Sequence, residues 1–180
     1  MTALRVAAFV ALALGLGALA GVVWWALVDL PAYVVGTDGG AGISERGLSE
    51  FFAGDAWFCA IGLVVGVALG LVGWRQFREL GWVLVPLVVG ASVLAALVCW
   101  FVGHQLGPTS FVQRLAAAKT GEAVPIELTL RAPASVLTWP FLAIIPVLLG
   151  SSLGEDDEEP KPLFRRRVRA ELTDQEPERS

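Results

Sequence analysis

The sequence predicts an all-α membrane protein whose helices cross the bilayer four times, with both termini in the cytoplasm. Three observations lead there: four long apolar runs without charge, an uneven sharing of basic residues between their ends, and tryptophans gathered near those ends. Apolar residues make up 56% of the chain and charged residues only 17%. With a mean hydropathy of +0.68, a soluble domain of this length would lack the polar surface to cover its core. The charges fall between the runs and in segment 155–180, which divides the chain into a transmembrane domain, 1–154, and a tail. Acids and bases are segregated along the chain, so the net charge of −4 says little about partners, and no nucleic-acid partner is expected.

A helix needs about 20 apolar residues to cross roughly 30 Å of hydrocarbon. Val6–Val28, Ala56–Trp74, Gly81–Gly103 and Ala134–Leu153 meet that test, and none holds an Asp, Glu, Lys, Arg or His in its interior. Arg5 and Asp29 bracket the first run, Asp55 and Arg75 the second. Ala18-Leu19-Ala20 resembles a signal-peptidase site, but the apolar run continues through Trp24 and Trp25, so an uncleaved span is expected.

Orientation follows from lysine and arginine, because short basic loops are retained in the cytoplasm. Arg5, Arg75, Arg78, Lys161, Arg165, Arg166, Arg167 and Arg169 lie on one side; Arg46, Arg114, Lys119 and Arg131 lie on the other. The first group is larger and sits in shorter segments, so it marks the cytoplasmic face of a multi-pass cell-membrane protein. Tryptophan settles at headgroup depth. Trp24, Trp25, Trp57, Trp100 and Trp139 fall near the outer span ends, and Trp74 and Trp82 near the inner ones.

Membrane helices associate through close backbone approach, so small residues mark contact faces. Gly62, Gly66 and Gly70 repeat every four residues on the second span and form such a face. Ala13, Gly17 and Gly21 repeat likewise on the first span, and Ala91, Ala95, Cys99 and Gly103 on the third. The spacing does not say whether these faces meet within one chain or between chains. The short link Arg75–Leu80 makes the second and third spans antiparallel neighbours. Pro140 and Pro146 remove backbone donors and are expected to kink or loosen the fourth.

The external segments, 29–55 and 104–133, carry signals of a small structured cap. Pro31–Val35 reads as a short strand, Thr37-Asp38-Gly39-Gly40 as a turn, and Ser44–Phe52 as a short helix leading into the second span. Pro108-Thr109-Ser110 can start a helix, Phe111–Thr120 fits its body, and Gly121 can end it. Val124, Ile126, Leu128 and Leu130 then alternate with polar residues or proline, the period of a strand with one apolar face. Two strands from two loops would pair into the cap.

Reactive constellations are thin. Cys59 and Cys99 each stand alone, so two unpaired thiols are expected, with a disulfide open only if the backbones approach within about 7 Å. His104, with Asp55 or Glu50 from across the interface, forms the candidate outer-face polar site, to be set against a plain interfacial histidine. No metal or cofactor is expected. The tail passes from the acidic run Glu155–Glu159 to Arg165, Arg166, Arg167 and Arg169, with Phe164, Val168 and Leu172 sharing one helical face. Such a segment either lies on anionic lipid headgroups or stays disordered and solvated.

Glu50-Phe51-Phe52-Ala53-Gly54-Asp55-Ala56-Trp57-Phe58 and the run Trp-Phe-Val-Gly-His-Gln-Leu-Gly from Trp100 to Gly107 resemble a family of small actinobacterial membrane proteins known as a domain of unknown function. The resemblance spans most of Val6–Leu153 and implies a bacterial cell membrane, with no activity or catalytic residue. The expected function is a non-enzymatic accessory or scaffold subunit of a cell-envelope process, working with a protein partner or as a homo-oligomer. A small oligomeric transporter or channel is the alternative, and an outer-face enzyme using His104 and Asp55 a distant third.

Overall fold

The structure, a computed structural model, describes residues 2–37, 40–43 and 45–153; for residues 2, 43 and 45–51 it describes the backbone alone. Glu50 lies in the second helix with its side chain outside that set, and the tail, with Arg165, Arg166, Arg167 and Arg169, lies outside it altogether.

Four long helices form an up-and-down bundle: α1 (Thr2–Leu27), α2 (Glu45–Phe77), α3 (Leu84–Leu106) and α5 (Thr138–Leu153), with a short α4 (Phe111–Ala117) between the last two. Three helical stretches are long and apolar enough to cross a membrane: Ala3–Leu27, Phe52–Ala117 and Pro133–Leu153. Helix is the natural state of these runs, because every backbone donor and acceptor is then satisfied inside the segment. The short helix expected over Ser44–Phe52 is continuous with the second run, so α2 extends well beyond its apolar part.

Between α2 and α3 the chain reverses through a 3-10 turn, Arg78–Val83. Gly81 there adopts φ 60°, ψ −134°, a conformation closed to residues with a side chain and the reason for glycine at this bend. This end of the bundle is called the turn end, the opposite one the cap end.

The most extensive packing joins α1 to α3 and α2 to α5; α2 and α3 also touch, though over less surface than either of those pairs. The short link does make α2 and α3 neighbours, but the small-residue faces select other main partners. A Cβ on Gly17 would lie 2.5 Å from the Ala95 carbonyl oxygen, and one on Gly21 would lie 2.7 Å from that of Cys99. One on Gly66 would lie 2.6 Å from the Trp139 carbonyl, and one on Gly70 would meet that of Ala143. Both seams therefore bring backbone against backbone, within the chain.

Indole rings seated over glycines lock the seams. Trp24 of α1 fills the space over Gly103 of α3, Trp139 of α5 fills that over Gly62 of α2, and Trp74 of α2 fills that over Gly150 of α5. Here the tryptophan expectation needs correcting. Trp24 and Trp139 are fully buried, so they are core residues and not headgroup anchors. A ring over a glycine notch gains more contact from packing than from exposure at the interface. Trp25, Trp57, Trp82 and Trp100 do remain exposed.

At the cap end Phe58 joins Trp24 and Trp139, with ring centroids 5.4 Å apart in each pair. At the turn end Phe9 meets Phe77 edge-on at 5.5 Å. Pro140 falls in the first turn of α5, where amides lack intrahelical acceptors, so only Pro146 interrupts the helix interior.

The cap is a three-stranded antiparallel sheet ordered β2-β1-β3, from Ala32–Val35 (β1), Ala41–Ile43 (β2) and Ala123–Pro125 (β3). Tyr33 pairs with Val124 across the two loops, and with Ile43 on its other side. The alternation read over 124–130 survives as burial after the strand ends: Val124 and Leu128 are buried, and Ile126 and Leu130 partly so. The helix expected over Phe111–Thr120 stops at Ala117, and Gly121 serves a later turn at φ 86°.

Candidate functional site

The polar residues of the cap end converge on one strap, residues 126–132, which runs from β3 across the end of the bundle to α5. Ile126 N donates to the Pro31 carbonyl at 3.0 Å, continuing the β1–β3 pairing by one bond. Leu128 is 2% exposed and packs over Gly107, where a Cβ would lie 2.9 Å from its own Cβ.

Asp55 and His104 grip this strap at separate points. The Arg131 and Ala132 amides donate to the two carboxylate oxygens of Asp55, at 3.1 and 2.9 Å. The carboxylate thus tethers the chain just before the 3-10 turn Pro133–Leu137 that opens α5. His104 Nδ1 lies 2.9 Å from the Leu128 carbonyl oxygen. A carbonyl only accepts, so Nδ1 carries the proton in this bond. The ring also stacks on Trp100, centroid to centroid 6.5 Å. The two residues expected to share a site therefore share a substrate of another kind, the protein's own main chain.

Two further anchors escaped the sequence reading. Glu127 Oε1 accepts the Phe111 amide at 3.0 Å and so caps α4 from the strap. Ser110, the residue before α4, sits in the left-handed region at φ 57°, ψ 45°, and its side chain makes no capping bond. Arg114 donates from Nε to the Thr109 carbonyl and from its Nη2 to the Pro125 carbonyl, both at 2.8 Å. It closes α4 onto β3. Sequence alone showed Glu127 as one polar member of an alternating strand and Arg114 as one basic count; nothing local names a partner 16 or 11 residues away.

Cys59 and Cys99 are both free. Cys99 is buried against α1, under Gly21, whereas Cys59 Sγ lies 3.6 Å from Thr138 Oγ1 at the start of α5. Each thiol thus belongs to a different seam. Trp139 Nε1 is buried without a hydrogen-bond partner among the described residues, a cost of about 1–3 kcal/mol that the ring's fit over Gly62 must offset.

Two of the grooves among the described residues bear on the site. One, of about 450 Å³, opens between α1 and α2 and is lined by apolar residues from Leu16 to Val65. The other, of about 460 Å³, lies on the cap among Tyr33, Phe111, Glu127 and Arg131. Among the described residues no group of three histidine, cysteine or acidic side chains is placed to hold a metal ion. No known protein family matches this chain, and the curated proteins and solved structures hold no match to it either.

Proposed function

We propose that this chain is a four-span protein of the cell membrane, both termini cytoplasmic and the cap outside, serving as a non-enzymatic accessory or scaffold subunit. Four crossings are supported by the length of the middle apolar stretch, Phe52–Ala117, which holds 66 residues. As one rod it would reach about 100 Å, some three times the hydrocarbon layer. The reversal at Gly81 divides it into two antiparallel arms, each long enough for one crossing. The orientation is supported by Arg5, Arg75 and Arg78 at the turn end, in short segments of the kind retained in the cytoplasm.

The observation that carries the functional reading is the use made of the cap's polar groups. Asp55, His104, Arg114 and Glu127 each hold main chain in place. A site built to react leaves its acid, base or nucleophile facing a substrate; this one assembles a rigid outer platform on a closed bundle. That suits a surface recognised by another protein.

Chemical crosslinking in native membranes tests it. A stable heteromeric complex through the cap is the expected result. A homo-oligomer that alone conducts ions in proteoliposomes would replace the scaffold with a channel.

A further inference from the structure

The arginines at the two ends of the bundle are treated differently. At the cap end Arg114 is bound through two nitrogens, and the Arg131 amide is held by Asp55. At the turn end no hydrogen bond or ion pair among the described residues engages the side chains of Arg5, Arg75 or Arg78, all three exposed. Glu79 is the acid among the described residues of that turn, and it is exposed as well.

The same end of the bundle holds a buried aromatic pair. Phe9 and Phe77 meet there; Arg5 stands one helical turn beyond Phe9, on the same face, and Arg78 follows Phe77 directly. The rim is apolar and open: Leu4 is 77% exposed, Trp82 85% and Leu153 81%. Unpaired arginine beside exposed tryptophan, at the edge of a helix bundle with an apolar exterior, matches the chemistry of a lipid headgroup layer. The phosphate meets the guanidinium forks and the indole lies at the ester level.

From this charge complementarity we infer that Arg5, Arg75, Arg78 and Trp82 form a docking surface for anionic phospholipid headgroups. The inference rests on the four-span reading and adds lipid selectivity to it. The acidic run Glu155–Glu159, which follows closely on the end of α5 at Leu153, is the competing occupant, and the tail arginines are a competing source of lipid attraction.

The test uses the full chain carrying glutamine at Arg165, Arg166, Arg167 and Arg169, reconstituted in nanodiscs of phosphatidylcholine with phosphatidylglycerol. Electron paramagnetic resonance of spin-labelled lipids reads the association of each lipid with the protein. Phosphatidylglycerol is expected to be preferred in this background. The preference should fall by up to about fivefold for each of Arg5→Gln, Arg75→Gln and Arg78→Gln, and vanish in the triple variant.

Equal association of both lipids in the background would overturn the inference. So would a preference that appears only once Glu155–Glu159 are neutralised, since the acidic run would then be the natural occupant. A chain that does not enter the nanodisc refutes the four-span reading itself. One that enters without lipid preference refutes the headgroup site alone.

Discussion

The cap end and the turn end are built from the same kinds of residue and use them in opposite ways. At the cap, Asp55, His104, Arg114, Glu122 and Glu127 all bond to main chain. At the turn, Arg5, Arg75, Arg78 and Glu79 leave their charges outward. The difference follows from chain length. The turn reverses direction in six residues, Arg78–Val83, held by one glycine, and has no loose backbone for a side chain to organise. The cap must order two long connections whose amides would otherwise compete with water. A charged group costs little when exposed and does most for stability when it fixes otherwise free main chain.

Even the ring-over-glycine contact differs between the ends, and substitutions there should separate them most clearly. Gly62→Val forces a branched side chain into Trp139, which is fully buried and has no room to swing. We expect it to destabilise the bundle by about 3 kcal/mol, the upper part of the overpacking range, read as the largest fall in melting temperature in detergent. A Gly62→Val variant as stable as the parent would mean that the α2–α5 seam is not rigid.

Asp55→Ala comes next, at about 2 kcal/mol, since it removes two bonds to a charged acceptor. Hydrogen exchange localises it: the Arg131 and Ala132 amides should lose protection while the helix amides keep theirs. Uniform loss across the bundle would show that the strap and the helices unfold as one unit.

Gly150→Val repeats the first experiment at the turn end, against Trp74, whose ring is only half-buried. The ring can rotate outward, so about 1 kcal/mol is expected. A cost equal to that of Gly62→Val would erase the distinction between the two ends. Smallest of all is Arg78→Gln, expected within about 0.5 kcal/mol of the parent in thermal unfolding because no partner among the described residues is lost. A larger loss would reveal an internal role for this arginine.

Much of this molecule can be read directly from its residues. The apolar runs give α1, α3 and α5 to within a few residues, because hydrophobic length and backbone satisfaction are local properties, whereas α2 continues past its Asp55 bracket to Glu45. Spacing of four likewise gives the faces of Gly62, Gly66 and Gly70, and of Ala13, Gly17 and Gly21. Alternation over Val124 to Leu130 gives the buried side of the strap, although the strand itself ends at Pro125. Only the tertiary structure decided which faces meet. A glycine notch specifies close approach but not its partner, and the choice of α5 for α2 depends on where Trp139 and Ala143 come to lie. The same holds for the candidate site. Asp55 and His104 could be singled out as polar residues at span ends, yet whether a carboxylate faces a ligand or two amides depends on the path of a strap some 76 residues away in sequence. Sequence sets the periodicity of each element; the fit of rings into notches and of amides onto acceptors exists only once the elements are assembled.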